Sequence, residues 1–346
     1  MPAFTYRGRR AVALENEYLR VVVTAEGGHI AAIVDKATGV NPLWSPPWPT
    51  IEPSKWKAEM LEYGSDAESQ LLAGILGHNL CLDTFGGPSL EEAAAGLRVH
   101  GETGVIEHDL REQDGDLLQS AVLKHAQLRF SRRLHLAAGS RRIEIEETVE
   151  NLAIQDRPIA WTEHVTIGPP FLERGRTLTE AAATRSKVVE SDFTEGYCRH
   201  KIAAEFDWPY VPLEAGGTED LRRFTPIEVS GSFTTHLMDA ALEEVGFQVW
   251  SPTHKLLLRY DWKRSDFPWL GMWEENYCRA ALPWGGKTLT RGLEFGVSPF
   301  AETRRSMIDR GRMFGVPTFR WIPARSKVSV AYTASLEPCE AFPLRR

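Results

Sequence analysis

The chain reads as all-β: one large antiparallel sandwich with few short helices. Three observations predict this. Apolar and polar residues alternate with period two from the first quarter of the chain to its last strand. Helical periodicity is nearly absent outside residues 89–95 and 301–313. The strand patterns also lack the strand–helix–strand rhythm of a parallel sheet, and neither a flexible linker nor a fixed-period repeat divides them. A single sandwich domain over residues 1–346 is therefore expected, with 42% hydrophobic residues to fill its core.

Residues 10–34 open with a meander. Leu19, Val21 and Val23 share one face, Glu26-Gly27-Gly28 turns the chain, and Ile30, Ala32 and Val34 alternate again. Residues 42–58, rich in Pro and Trp, are read as a long ordered loop over the sheet. His78 and His100 bracket a glycine-rich crossover, within which Ser89-Leu90-Glu91-Glu92 has capping-box spacing and starts a short helix. From 105 to 149 strand follows strand. Leu128, Phe130, Leu134 and Leu136 share a parity that Arg132 interrupts, while Ile143, Ile145 and Val149 lie opposite Glu144, Glu146 and Thr148. His164 is placed near the end of the next strand, before the Gly168-Pro169-Pro170 break that would expose it at a rim. Residues 174–225 suit a long excursion at the sheet edge. Strand patterns then resume through Leu289–Gly296 and finish on Val328, Val330 and Tyr332.

The balance of 40 Lys plus Arg against 47 Asp plus Glu gives a net charge of −7, with basic residues scattered, which argues against nucleic acid as partner. Cys81, Cys198, Cys278 and Cys339 form no CxxC pair and read as free thiols. The N-terminus lacks the apolar core of a signal peptide, and no run of about 18 apolar residues occurs, so a cytoplasmic location without membrane contact is expected. Eleven Trp stand out. They are read first as core filler, and some as stacking platforms for a sugar.

The chemistry concentrates in His78, His100, His164 and Glu294. Glu294 shares a strand face with Thr290, Gly292 and Gly296, and glycines beside a carboxylate leave room for a ligand. One carboxylate and one imidazole suffice to move protons at a sugar's anomeric centre without metal or cofactor. A three-histidine metal site is the competing reading, but no HxH pair or HExxH helix supports it, and Phe85-Gly86-Gly87-Pro88 lacks the Lys and Ser/Thr of a phosphate loop.

The order of Leu43-Trp44, Val99-His100-Gly101, His164 after the Asn151-Leu152 strand, and Gly292-Leu293-Glu294 before Pro299 resembles the aldose 1-epimerases, the galactose mutarotase-like proteins, over nearly the whole chain. The resemblance implies a β-supersandwich with a sugar-binding cleft. It implies Glu294 as general base, His164 as general acid at the ring oxygen, and His100 holding a sugar hydroxyl. Where that family has a Tyr-Phe-Asn-type stretch after the second His, this chain has Val165-Thr166-Ile167, and the late motif reads Leu293-Glu294-Phe295-Gly296. His78, Asp83, Trp273, Glu274 and Asn276 are this chain's own candidates for the sugar pocket. Glu294 and His164 are expected in one cleft, their tips about one sugar ring apart. The partners expected are a small-molecule sugar and, at most, a second copy in a homodimer. A non-catalytic carbohydrate-binding protein, or a domain of a sugar lyase or hydrolase, is the alternative on the same fold.

Overall fold

The computed structural model describes residues 4–343. Two antiparallel sheets carry the chain, one of twelve strands and one of eight. The larger sheet begins at the edge with the expected meander (Phe4–Tyr6, Arg9–Glu15, Leu19–Thr24, Ile30–Asp35). Its centre is His78–Asp83, Arg157–Ile167, Leu289–Gly296 and Trp269–Asn276, it continues through Ser230–Met238 and Ala183–Val188 to Glu205–Asp207, and Arg320–Ile322 pairs with the start of Arg157–Ile167. The smaller sheet runs Leu178–Ala181, Glu244–Ser251, Leu256–Lys263, Lys327–Pro338, Arg142–Asn151, Leu128–His135, Asp116–Leu123 and Asp109–Gln113.

Alternation decides which side chains meet between the sheets. Trp161, Val165, Leu293 and Phe295 of the large sheet join Phe130, Ile145, Phe247, Tyr260 and Tyr332 of the small one in one apolar cluster. Phe295 stacks on Trp262 with ring centroids 4.2 Å apart and planes 12° from parallel. Truncating either ring to Ala would cost about 3–5 kcal/mol.

The break in parity at Arg132 has a physical cause. Arg132 faces this core, directly across the ladder from Glu147, with Nε 2.6 Å from a Glu147 oxygen and Nη2 3.1 Å from Glu163. His78 Nε2 lies 2.9 Å from the same Glu163 oxygen, to which Tyr332 also donates at 3.0 Å. One cation and two carboxylates, closed off by Tyr and His, form a hydrogen-bonded set that desolvation alone would forbid. Burial pushes Glu147 up to about 8, so a proton stays in the set at neutral pH. His78 therefore corrects the expectation: it opens a strand buried along its whole length and faces the inter-sheet core.

The capping box at Ser89 is present, and the helix runs Leu90–Ala94. The expected late helix is Arg304–Arg310, capped by Thr303. Ser69–Gly74, which no periodicity announced, is a third short helix. Among the described residues no helix is long and apolar enough to cross a membrane. The Trp-rich loop does lie over the large sheet: Trp44 N–H donates to the Thr166 carbonyl at 2.8 Å, and Trp48, Leu72 and Phe85 fill a second apolar cluster on that outer face.

Candidate functional site

His164 and Glu294 are brought together by register. Arg157–Ile167 and Leu289–Gly296 are antiparallel neighbours in which these two residues are direct Cα partners. Their side chains share the sheet's outer face, while Glu163 and Phe295 point into the core. Trp273 lies on the next strand, opposite Gly292. Each position follows from the period of two.

These residues form the floor of a cavity of about 380 Å³. Trp44, Phe85, Phe193, Phe233, Trp273, Trp284 and Phe300 make its aromatic walls, and Glu68, Glu190, Ser191, Arg279, Glu302 and Arg310 supply polar groups. His100 lines the same wall as expected, its ring centroid 6.0 Å from that of His164. His100 Nδ1 is 2.5 Å from the Phe85 carbonyl, which makes Nδ1 a donor, and its Nε2 has no hydrogen-bond partner among the described residues.

His164 does not sit at a rim. Its strand continues to Ile167, and loops cover it until 9% of the residue remains exposed. Nor are the two tips a sugar ring apart: His164 Nε2 is 3.1 Å from Glu294 Oε1. Strand partners with long side chains on one face reach each other directly. His164 Nδ1 lies 2.9 Å from Thr166 Oγ1. Burial pushes the Glu294 carboxyl up to about 8, and burial together with nearby His100 pushes His164 well down. The consistent assignment is one proton held on the Glu294 carboxyl beside a neutral His164 whose Nδ1–H donates to Thr166, the carboxyl and Nε2 standing in contact. A dry, low-dielectric floor favours this neutral form over the ion pair.

Four sequence candidates do not line the cavity. His78 is in the core network described above. Asp83 accepts from Arg157 at 2.6 Å and from Arg304 at 2.7 Å, tying the Arg304–Arg310 helix to the sheet. Glu274 faces the other side of its strand, fully buried against Arg291 and 3.5 Å from Arg199. Asn276 donates to the Ile227 carbonyl and stays buried. Each polar side chain was pulled inward by a charged or backbone partner that sequence distance concealed: Asp83 and Arg304 are 221 positions apart. Because His78 lies on the opposite face from His100 and His164, the three-histidine metal site has no geometric basis.

Thr166 and Arg279 escaped the reading of the sequence, and Trp284 was reached only as one of its loop tryptophans. Thr166 had a usable signal, two residues beyond His164 on the same strand face. Trp284 and Arg279 come from the loop after Asn276, where no period applies. Trp44 and Trp284 stack with centroids 6.1 Å apart, and Trp273 packs edge-on against Trp284 at 5.9 Å. Trp161, Trp262 and Trp269 are core filler, whereas Trp44, Trp273 and Trp284 line the cavity.

No family model matches the chain, and no curated protein does. Solved structures do. A candidate aldose 1-epimerase from Klebsiella pneumoniae is similar with a TM-score of 0.68 and 14% identity, over 96% of this chain and 80% of that one. A candidate aldose 1-epimerase from Escherichia coli gives 0.64 and 12%, over 95% and 99%. A galactose mutarotase-like protein from Clostridium acetobutylicum gives 0.61 and 11%, over 97% and 98%. At such identities the likeness speaks for backbone architecture alone, which agrees with the two sheets. The chain has the galactose mutarotase-like β-supersandwich fold.

Proposed function

We propose that this protein interconverts the anomers of a sugar by proton transfer at Glu294 and His164. The observation that carries the reading is their 3.1 Å contact on the floor of an aromatic-walled cavity. The C1 hydroxyl oxygen and the ring oxygen of a cyclic sugar are bonded to one carbon, closer to each other than a hydrogen bond is long. Two groups whose tips touch can therefore address both atoms from one side, once the sugar replaces their mutual contact.

The chemistry needs one acid and one base, and the pair holds one proton. Ring opening moves a proton from the C1 hydroxyl to one member and from the other member to the ring oxygen as the C1–O5 bond breaks. Rotation about C1–C2 presents the other carbonyl face. Reclosure reverses both transfers and restores the starting protonation. In the resting state the proton sits on Glu294. Shifting it along the contact gives carboxylate and imidazolium, the assignment implied by the sequence resemblance: Glu294 as base and His164 as acid. Thr166 holds the imidazole in the required tautomer, His100 Nε2 accepts from a sugar hydroxyl, and Trp273 offers a stacking face.

The test is anomer exchange by NMR on aldoses, uronates and sugar phosphates, comparing wild type with Glu294→Gln. Loss of one member of the acid–base pair should lower the rate by about 10²–10⁴. Trp fluorescence shifts with a sugar that wild type does not interconvert would instead assign the cavity to carbohydrate binding without turnover.

A further inference from the structure

The cavity contains a cation that the proton chemistry leaves unused. Arg279 lines it, and its guanidinium carbon sits 4.7 Å from the centroid of the Trp284 ring and 5.5 Å from those of Trp273 and Phe193. Its Nε lies 3.3 Å from a Glu275 oxygen. The other Glu275 oxygen accepts from the backbone N–H groups of Cys278 and Arg279 at 2.8 and 2.9 Å, which fixes the turn that presents this side chain. Three rings and one carboxylate thus hold the fork in place. Among the described residues Glu275 is the one ion-pair partner of Arg279 and no hydrogen bond takes its terminal nitrogens, which leaves them available as donors.

A second donor stands beside it. Trp273 is only 8% exposed, yet its indole Nε1 is buried with no hydrogen-bond partner among the described residues. A buried donor in this condition costs free energy unless a ligand completes it. The same Trp273 ring lies 6.0 Å from the His164 ring, so it bridges the proton-transfer pair and Arg279.

The nearby carboxylates do not cancel the site. Glu190 and Glu302 are held by Arg310 at 2.7 and 3.0 Å, and only Glu68 of the lining carboxylates has no ion pair among the described residues. Building on the proton-transfer reading above, the geometry points to a sugar that carries an anionic group, a carboxylate or a phosphate, as the ligand. Its anomeric carbon lies over Glu294 and His164, its ring lies along Trp273, and its anion meets the Arg279 fork and the Trp273 N–H.

The experiment compares glucose, glucuronate and glucose 6-phosphate against wild type, Arg279→Met and Arg279→Lys, reading both anomer exchange and Trp fluorescence. Wild type should favour one of the anionic sugars over glucose by tenfold or more in kcat/KM. Arg279→Met should raise KM for that sugar by about tenfold to a hundredfold, as expected for a lost charge-assisted pair, and abolish the preference. Arg279→Lys, a point charge without the fork, should fall between. The better of the two anionic sugars distinguishes a uronate from a sugar phosphate. Preference for glucose, or an unchanged preference in Arg279→Met, would overturn the inference. If nothing is interconverted but an anionic sugar quenches wild-type fluorescence and not that of Arg279→Met, the anion site stands and the proton-transfer reading falls. No response to either anion would sink the anion site.

Discussion

Gly292→Ala tests the geometry of the floor with little disturbance of the fold. Gly292 lies two residues before Glu294 on the same strand face and opposite Trp273. A Cβ there would fall well inside contact distance of Glu294 Oε1 and 3.3 Å from both Glu294 Cδ and Trp273 Cβ. The backbone of Gly292 is ordinary strand, so alanine brings no conformational strain and the reduced freedom of the unfolded chain favours it slightly. The clash must be relieved by the carboxyl, the movable end of Glu294. A shift of about 1 Å breaks the contact with His164 and misplaces the proton-transfer group, which costs roughly 10²-fold in rate. Unfolding free energy should change by no more than about 1 kcal/mol. The assay is anomer exchange by NMR beside a urea melt, with Gly87→Ala as control because its Cβ would meet nothing within 4 Å. A rate within twofold of wild type, in a folded Gly292→Ala protein, would refute both the position assigned to the carboxyl and its part in the reaction.

Stability should pass through a maximum near neutral pH. His78, His164 and His236, lowered to about 3, and His108, lowered to about 4, bind fewer protons folded than unfolded, so their contribution is lost as pH falls below the ordinary histidine range. Glu294 and Glu147, both raised to about 8, hold protons in the folded state that the unfolded chain releases near pH 4.5, so their contribution declines from there and is gone by about 8. These four histidines outweigh the two carboxyls until the ordinary histidine range is passed, which puts the maximum near neutrality. Melts across pH 4–9 should show both limbs, and Glu294→Gln should flatten the alkaline one. Thr166→Val removes the acceptor of His164 Nδ1–H; about 1–3 kcal/mol of stability should be lost, and imidazole NMR should show the tautomer balance shifting. Arg132→Met, on the core side of the sheet, leaves Glu163 as an uncompensated buried charge and should cost about 3–5 kcal/mol in a denaturant melt.

The strand framework was legible because one solvated face imposes period two. The meander, the run from 105 to 149 and the last strand were placed on that ground, and the Ser89 helix on its capping box. Glu294, His100 and His164 line one cavity, but the space beside Gly292 is taken by the Glu294 carboxyl itself and Gly296 abuts the neighbouring strand. The signal fails in the middle of the large sheet. His78–Asp83 and Trp269–Asn276 are buried at every position, because the small sheet covers one face and the loops cover the other. With both faces dry, alternation no longer says which side looks where. His78 and His164, alike in sequence, therefore ended on opposite faces: one in a buried charge network, the other on the cavity floor.

Composition, alternation and caps determined that this chain folds as antiparallel sheets, and they singled out Glu294, His164 and His100. Only the tertiary structure decided their relations. It set the register that puts Glu294 against His164, the partners that pull Asp83, Glu274 and Asn276 inward, and the turn that carries Arg279 onto three aromatic rings. The reason is that a strand's period is local, whereas pairing partners and the compensation of buried charge lie tens to hundreds of residues away along the chain.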